Sequence, residues 1–219
     1  MKDWDKLLKQ GKVRVISAAL ADTFGSECVT VEPIPFDFVN EPRFYIDDDE
    51  EGLDFGLISL RPYYARLLAR NGVKAIFEEN WINQHTIEFD GYAMIGFPDE
   101  FITSRIESSC GEVYVLGVVS PTMIPLKRLE QAPPGRPTRL PRFIGQLHPD
   151  LQIGSIKGMS GGPILGFRFG PPMAYWVVAI QSSWLPHERI TFGCPVPVLA
   201  ELIAAWVDDL PEQHGGIDP

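Results

Sequence analysis

A chain of 219 residues, 45% of them hydrophobic, is long enough to bury a substantial core, as one large domain or two small ones. Its formal net charge of −10 argues against nucleic acid as a partner, because phosphate binding needs clustered Lys and Arg, and Arg136, Arg139 and Arg142 alternate with prolines as a solvated loop does. Cys28, Cys110 and Cys194 are too widely spaced for a disulfide framework or a zinc site, no apolar run approaches a membrane span, and Met1-Lys2-Asp3-Trp4-Asp5 is not a signal peptide, so the expectation is a cytoplasmic protein with reduced thiols, no metal, no cofactor and no membrane contact.

The 20 glycines and 20 prolines are spread between apolar runs, the mark of many turns joining short strands, and predict an all-β protein. Trp4, Leu7 and Leu8 at helical spacing, with Gly11 as a stop, predict two opening turns of helix. Residues 13–19 and 27–31 read as strands rich in β-branched side chains. Asp47-Asp48-Asp49-Glu50-Glu51 reads as a solvated turn, since it lacks the alternating ligand spacing of a calcium loop. Leu53-Asp54-Phe55-Gly56-Leu57-Ile58-Ser59-Leu60 is a compact apolar strand carrying one acid at its start. Residues 63–70 form a short helix or an irregular linker ending at the turn pair Asn71-Gly72. Strands then follow at 86–89, 92–97, 112–119, 143–147, 164–169, 175–181 and 190–195, spaced as in a small antiparallel barrel. Pro197 opens a last helix with the stripe Leu199, Leu202, Ile203 and Trp206, and the tail from Pro211 is expected to fray.

Gly158-Met159-Ser160-Gly161-Gly162-Pro163 is the most informative stretch, because it puts a hydroxyl among glycines that let the backbone turn sharply and expose N–H groups. A nucleophile needs that exposure, and two preorganised backbone donors near a developing oxyanion lower the barrier by about 3 kcal/mol each. The pattern resembles the nucleophile loop of the chymotrypsin or trypsin family of serine peptidases. The strand, turn and strand that follow the loop, the stretch Val178-Ala179-Ile180-Gln181-Ser182-Ser183-Trp184, the helix after Cys194 and the Asp54 strand are similar to that family as well.

The resemblance implies an all-β fold of two antiparallel β-barrels, the first incomplete, closed by a C-terminal helix. It divides the chain into an N-terminal barrel lobe at 1–72 carrying Asp54, an inter-lobe linker at 73–85, and a C-terminal barrel lobe at 86–219. It implies a serine endopeptidase acting on a polypeptide substrate, with Ser160 as nucleophile, the N–H groups of Gly158 and Ser160 as oxyanion hole, Asp54 orienting a histidine, and Gly154, Gln181, Ser182 and Ser183 along the substrate cleft. The family's histidine precedes the aspartate, whereas His85, His148, His187 and His214 all follow Asp54, so the missing residue is expected just upstream of Met1. Met159, where secreted members have an aspartate that receives the freed N-terminus, points to the bacterial, non-zymogen branch. Gly154, where an acid sets trypsin-like specificity, leaves a preference for Arg or Lys unsupported.

Three rival readings fit parts of the same sequence. The nucleophile elbow of an α/β-hydrolase would take Asp208 or Asp209 with His214, but it needs a helix directly after the serine, where a strand pattern stands. The order Asp54, His85, Ser160 is that of subtilisins, yet neither His85 nor Ser160 has the flanking motif. The third reading, a pseudopeptidase that keeps the cleft as a peptide-binding module, follows directly from the missing histidine.

Overall fold

The computed structural model describes residues 2–12, 18–20, 34–48, 52–81, 87–109, 112–118, 121–131, 133 and 138–208. They fall into two compact units, Met1–Asp47 with Asp54–Glu78 and Asp48–Leu53 with Glu79–Pro219.

The first unit opens with helix α1, Lys2–Lys9, where the spacing of Trp4, Leu7 and Leu8 predicts it. Strand β1, Ala19–Leu20, pairs antiparallel with β2, Ile34–Pro35, and β3, Arg43–Asp48, pairs with β4, Leu53–Ile58. Of the strand predicted at 13–19 only the end is described, and the one at 27–31 lies outside the described residues. Burial alternates along β4, with Leu53 and Phe55 buried and Asp54 exposed between them, as the period of a strand requires. Residues 63–70, which the sequence leaves between helix and linker, lie in helix α2, Pro62–Arg70. Pro62 presets the first turn, and Gly72, at φ 81°, closes the helix: its N–H reaches the Ala69 carbonyl at 3.1 Å and the Val73 N–H reaches Leu68 at 3.0 Å. Tyr64 is the buried anchor of α2, set edge-on to Phe36 with ring centroids 5.1 Å apart while its hydroxyl accepts the Asp37 N–H at 3.1 Å. Arg61, just before the helix, pairs with the buried Glu41 at 3.0 Å.

The second unit is a closed antiparallel barrel of six strands: β5 (Gly91–Gly96), β8 (Thr122–Arg128), β9 (Phe143–Leu147), β10 (Pro163–Arg168), β11 (Ala174–Leu185) and β12 (Ile190–Pro195), joined in the order β10-β11-β12-β9-β8-β5 and back to β10. Met94, Ile124, Ile164 and Ala179 are wholly shielded from solvent at its centre. Helix α3, Val196–Asp208, packs on β11 and β12, and Leu199 on it is buried. Among the described residues no helix is long and apolar enough to cross a membrane.

Three strand expectations are corrected. Residues 87–89 form no strand; the Phe89 ring packs edge-on against Tyr92 and Trp176, and the barrel begins only at Gly91. Strand β7, Glu112–Val118, lies where 112–119 is predicted but is no stave of the barrel, since it pairs instead with β6, Thr103–Ser109, in a separate hairpin. The stave overlooked in the sequence is β8, whose buried Ile124 and Leu126 alternate about an exposed Pro125, a residue that argues against a strand on composition.

Candidate functional site

Between the end of β9 and the start of β10 the chain is pinned to the barrel by two apolar side chains. Ile156 and Met159 are each 1% exposed, and Met159 lies so close to Gly96 that a methyl group there would stand 3.1 Å from its Cε. With these two residues turned inward, Gly158 and Ser160 stay at the surface, and Ser160 is exposed. The geometry depends on glycine: Gly158 has φ 92° and Gly161 φ 85°. A Cβ on Gly158 would collide with the Asp99 carboxylate and lie 2.7 Å from the Phe97 carbonyl oxygen.

The backbone hydrogen bonds of this turn sort its N–H groups into two sets. The Met159 N–H donates to the Ile156 carbonyl at 3.1 Å, the Gly161 N–H to Gln181 at 2.9 Å, and the Gly162 N–H to Met159 at 2.9 Å. The Gln181 N–H returns a bond to the Gly162 carbonyl at 2.9 Å, which ties the turn to β11. Among the described residues, the N–H groups of Gly158 and Ser160 donate to no acceptor. They are the two that the resemblance implies as oxyanion donors, and both residues are exposed.

The other expected site residues lie as follows. Asp54 is exposed on β4 in the first unit, whereas Ser160 belongs to the second. Gly154 is exposed, and its N–H donates to Glu100 at 3.1 Å. Gln181 is buried, with its Nε2 donating to the Ser183 carbonyl at 3.3 Å and its Oε1 accepting nothing among the described residues. Ser182 occupies a bulge between β11 and β12, and its buried hydroxyl donates to the Phe192 carbonyl at 3.3 Å. Ser183 is half-buried. His148 stands 3.5 Å from Asp150, both exposed, and His187 is exposed in the turn between β11 and β12. Cys194 is a buried thiol. His85, His214, Asp209, Cys28 and Cys110 lie outside the described residues.

Three residues that the sequence does not single out hold the segment leading to Ser160. Glu100 accepts both the Gly154 N–H and, at 3.0 Å, the Ser155 N–H. Arg189, held at φ 54°, donates to the carbonyls of Ile153 at 3.0 Å, Leu151 at 3.2 Å and His148 at 3.3 Å. Asp99, beside Glu100, abuts Gly158. No local pattern ties these residues to Ser160, because each contact spans more than 30 positions or is made by main-chain atoms. Among the described residues no group of three or more His, Cys, Asp or Glu could hold a metal ion. The chain matches no family model, no curated protein and no solved structure.

Proposed function

We propose that the chain is a serine endopeptidase of the trypsin-like, two-barrel type, with Ser160 as nucleophile. The observation that carries this reading is the vacancy within the turn: between Gly158 and Gly162 the N–H groups with no acceptor among the described residues are those of Gly158 and Ser160, and Ser160 itself is exposed. Ser160 Oγ attacks the scissile carbonyl carbon while its proton passes to an imidazole, and the two N–H groups take the negative charge on the carbonyl oxygen. The imidazolium then gives that proton to the leaving amine as the C–N bond breaks, and water releases the acyl group. The resemblance assigns Asp54 to orienting the imidazole and Gly154, Gln181, Ser182 and Ser183 to the cleft; of these Gly154 is exposed and Ser183 half-buried, whereas Gln181 and Ser182 are buried.

The second reading, a peptide-binding pseudopeptidase, keeps the same turn and cleft without the hydrolysis. Hydrolysis of labelled casein, with and without added imidazole to supply the base, separates the two. The peptidase reading expects slow cleavage that imidazole accelerates and Ser160→Ala abolishes. Cleavage by Ser160→Ala at the wild-type rate overturns it, and casein bound but uncut under both conditions favours the binding module.

A further inference from the structure

We propose that Asp99 is a positioning residue for the oxyanion site and acts through its backbone N–H, a step that rests on reading Ser160 as the nucleophile. Asp99–Phe101 forms one turn of 3-10 helix, separated by two residues from the end of β5. The Asp99 N–H donates to the Lys157 carbonyl at 2.7 Å. Lys157 C=O and Gly158 N–H belong to one planar trans peptide and point in opposite directions. Anchoring the carbonyl therefore decides which way the Gly158 donor faces. The same logic operates one peptide pair further on, where the Gly162 N–H holds the Met159 carbonyl at 2.9 Å and so aims the Ser160 N–H away from it.

The need for an external anchor lies in Gly158 itself. Glycine tolerates the positive φ seen here and also many other conformations, so its own preference does not fix the orientation of the preceding peptide. The turn at Asp99 supplies that constraint, and Glu100 adds two more bonds to the same segment, at Gly154 and Ser155. One short turn thus grips the chain at three places before the nucleophile.

Asp99→Pro removes the anchoring N–H with little disturbance elsewhere. Position 99 is the first of its turn, where proline is well tolerated, and Pro98 before it has φ −60° and ψ 132°, as a residue preceding proline prefers. Asp99→Asn keeps the N–H and serves as the rescue. Two readouts separate failure of this proposal from failure of the nucleophile reading. In crystal structures, the Lys157 carbonyl should turn away from position 99 in Asp99→Pro and stay in place in Asp99→Asn; an unturned carbonyl in the proline variant overturns the proposal whether or not Ser160 is reactive. In fluorophosphonate labelling, the proline variant should react on the order of 10²-fold more slowly than the asparagine variant, as expected for loss of one oxyanion donor. Equal labelling rates overturn the proposal, while absence of Ser160 labelling in the wild type sinks the nucleophile reading and leaves the structural comparison to decide on Asp99. Should the proline variant fail to fold, hydrogen exchange on the wild-type protein decides: the Asp99 amide is expected to be protected and the Gly158 amide to exchange rapidly, and the reverse pattern contradicts the proposal.

Discussion

Gly158 and Gly161 share a left-handed backbone but differ in what surrounds them, and the difference separates conformational strain from steric exclusion. A Cβ on Gly161 meets nothing within 4 Å, so Gly161→Ala should cost only the backbone penalty, about 1–2 kcal/mol. Gly158→Ala adds a collision with the Asp99 carboxylate and the Phe97 carbonyl, and is expected to cost about 3 kcal/mol or more in urea denaturation. Equal costs would mean that the Asp99 turn does not press on Gly158. At Asp37, the side-chain hydrogen bond from Asn40 Nδ2 at 2.8 Å, helped by the Asn40 N–H and the charge of Arg61, holds the carboxyl below its ordinary range despite an opposing desolvation. A lowered folded-state pKa means that this contribution to stability is present above the unfolded pKa and is lost as pH falls through the folded value. Asn40→Ala should therefore move the Asp37 carboxyl titration, followed by NMR, upward toward the ordinary carboxylate range, and an unmoved midpoint would remove Asn40 as the cause. The sharp, exposed turn around Ser160 was legible in the sequence because glycines at 158 and 161 record a backbone requirement in residue identity. Asp99 was not, because its anchor is a main-chain N–H that any residue but proline provides.

Among the elements, the segment from His148 to Lys157 has no regular secondary structure, yet two charged side chains fasten it. Arg189 accepts a left-handed backbone, a strain of about 1–3 kcal/mol, and from there its guanidinium reaches three carbonyls. Arg189→Ala should destabilise the barrel by about 2 kcal/mol and speed amide exchange across 148–157, most of all at residues whose carbonyls it holds. Unchanged exchange there would show that the barrel strands alone order the segment. The staves β9 to β12 and helix α3 were legible because apolar runs bounded by Gly, Pro or Asp mark them. The stave β8 was hidden by Pro125, and the strand at 112–118 was legible while its partner was not: pairing with Thr103–Ser109 is a long-range choice that local pattern does not encode.

For the whole molecule, the barrel supplies the stability against which the exposed turn is held. Ile164, one position into β10 from the turn and wholly buried, joins the two: Ile164→Ala should cost about 2–5 kcal/mol and lower the melting temperature of the second unit. The closed barrel and its terminal helix followed from apolar patterning, whereas the joint action of Asp54 and Ser160 belongs to the proposed function, resting on residue types in two separate units. The central claim, that Ser160 is a nucleophile with backbone donors in attendance, is tested most directly by fluorophosphonate labelling with the modified residue identified by mass spectrometry. The account predicts slow labelling confined to Ser160, faster with added imidazole and lost in Ser160→Ala; no Ser160 adduct with or without imidazole, or equal labelling of Ser160→Ala, would contradict it.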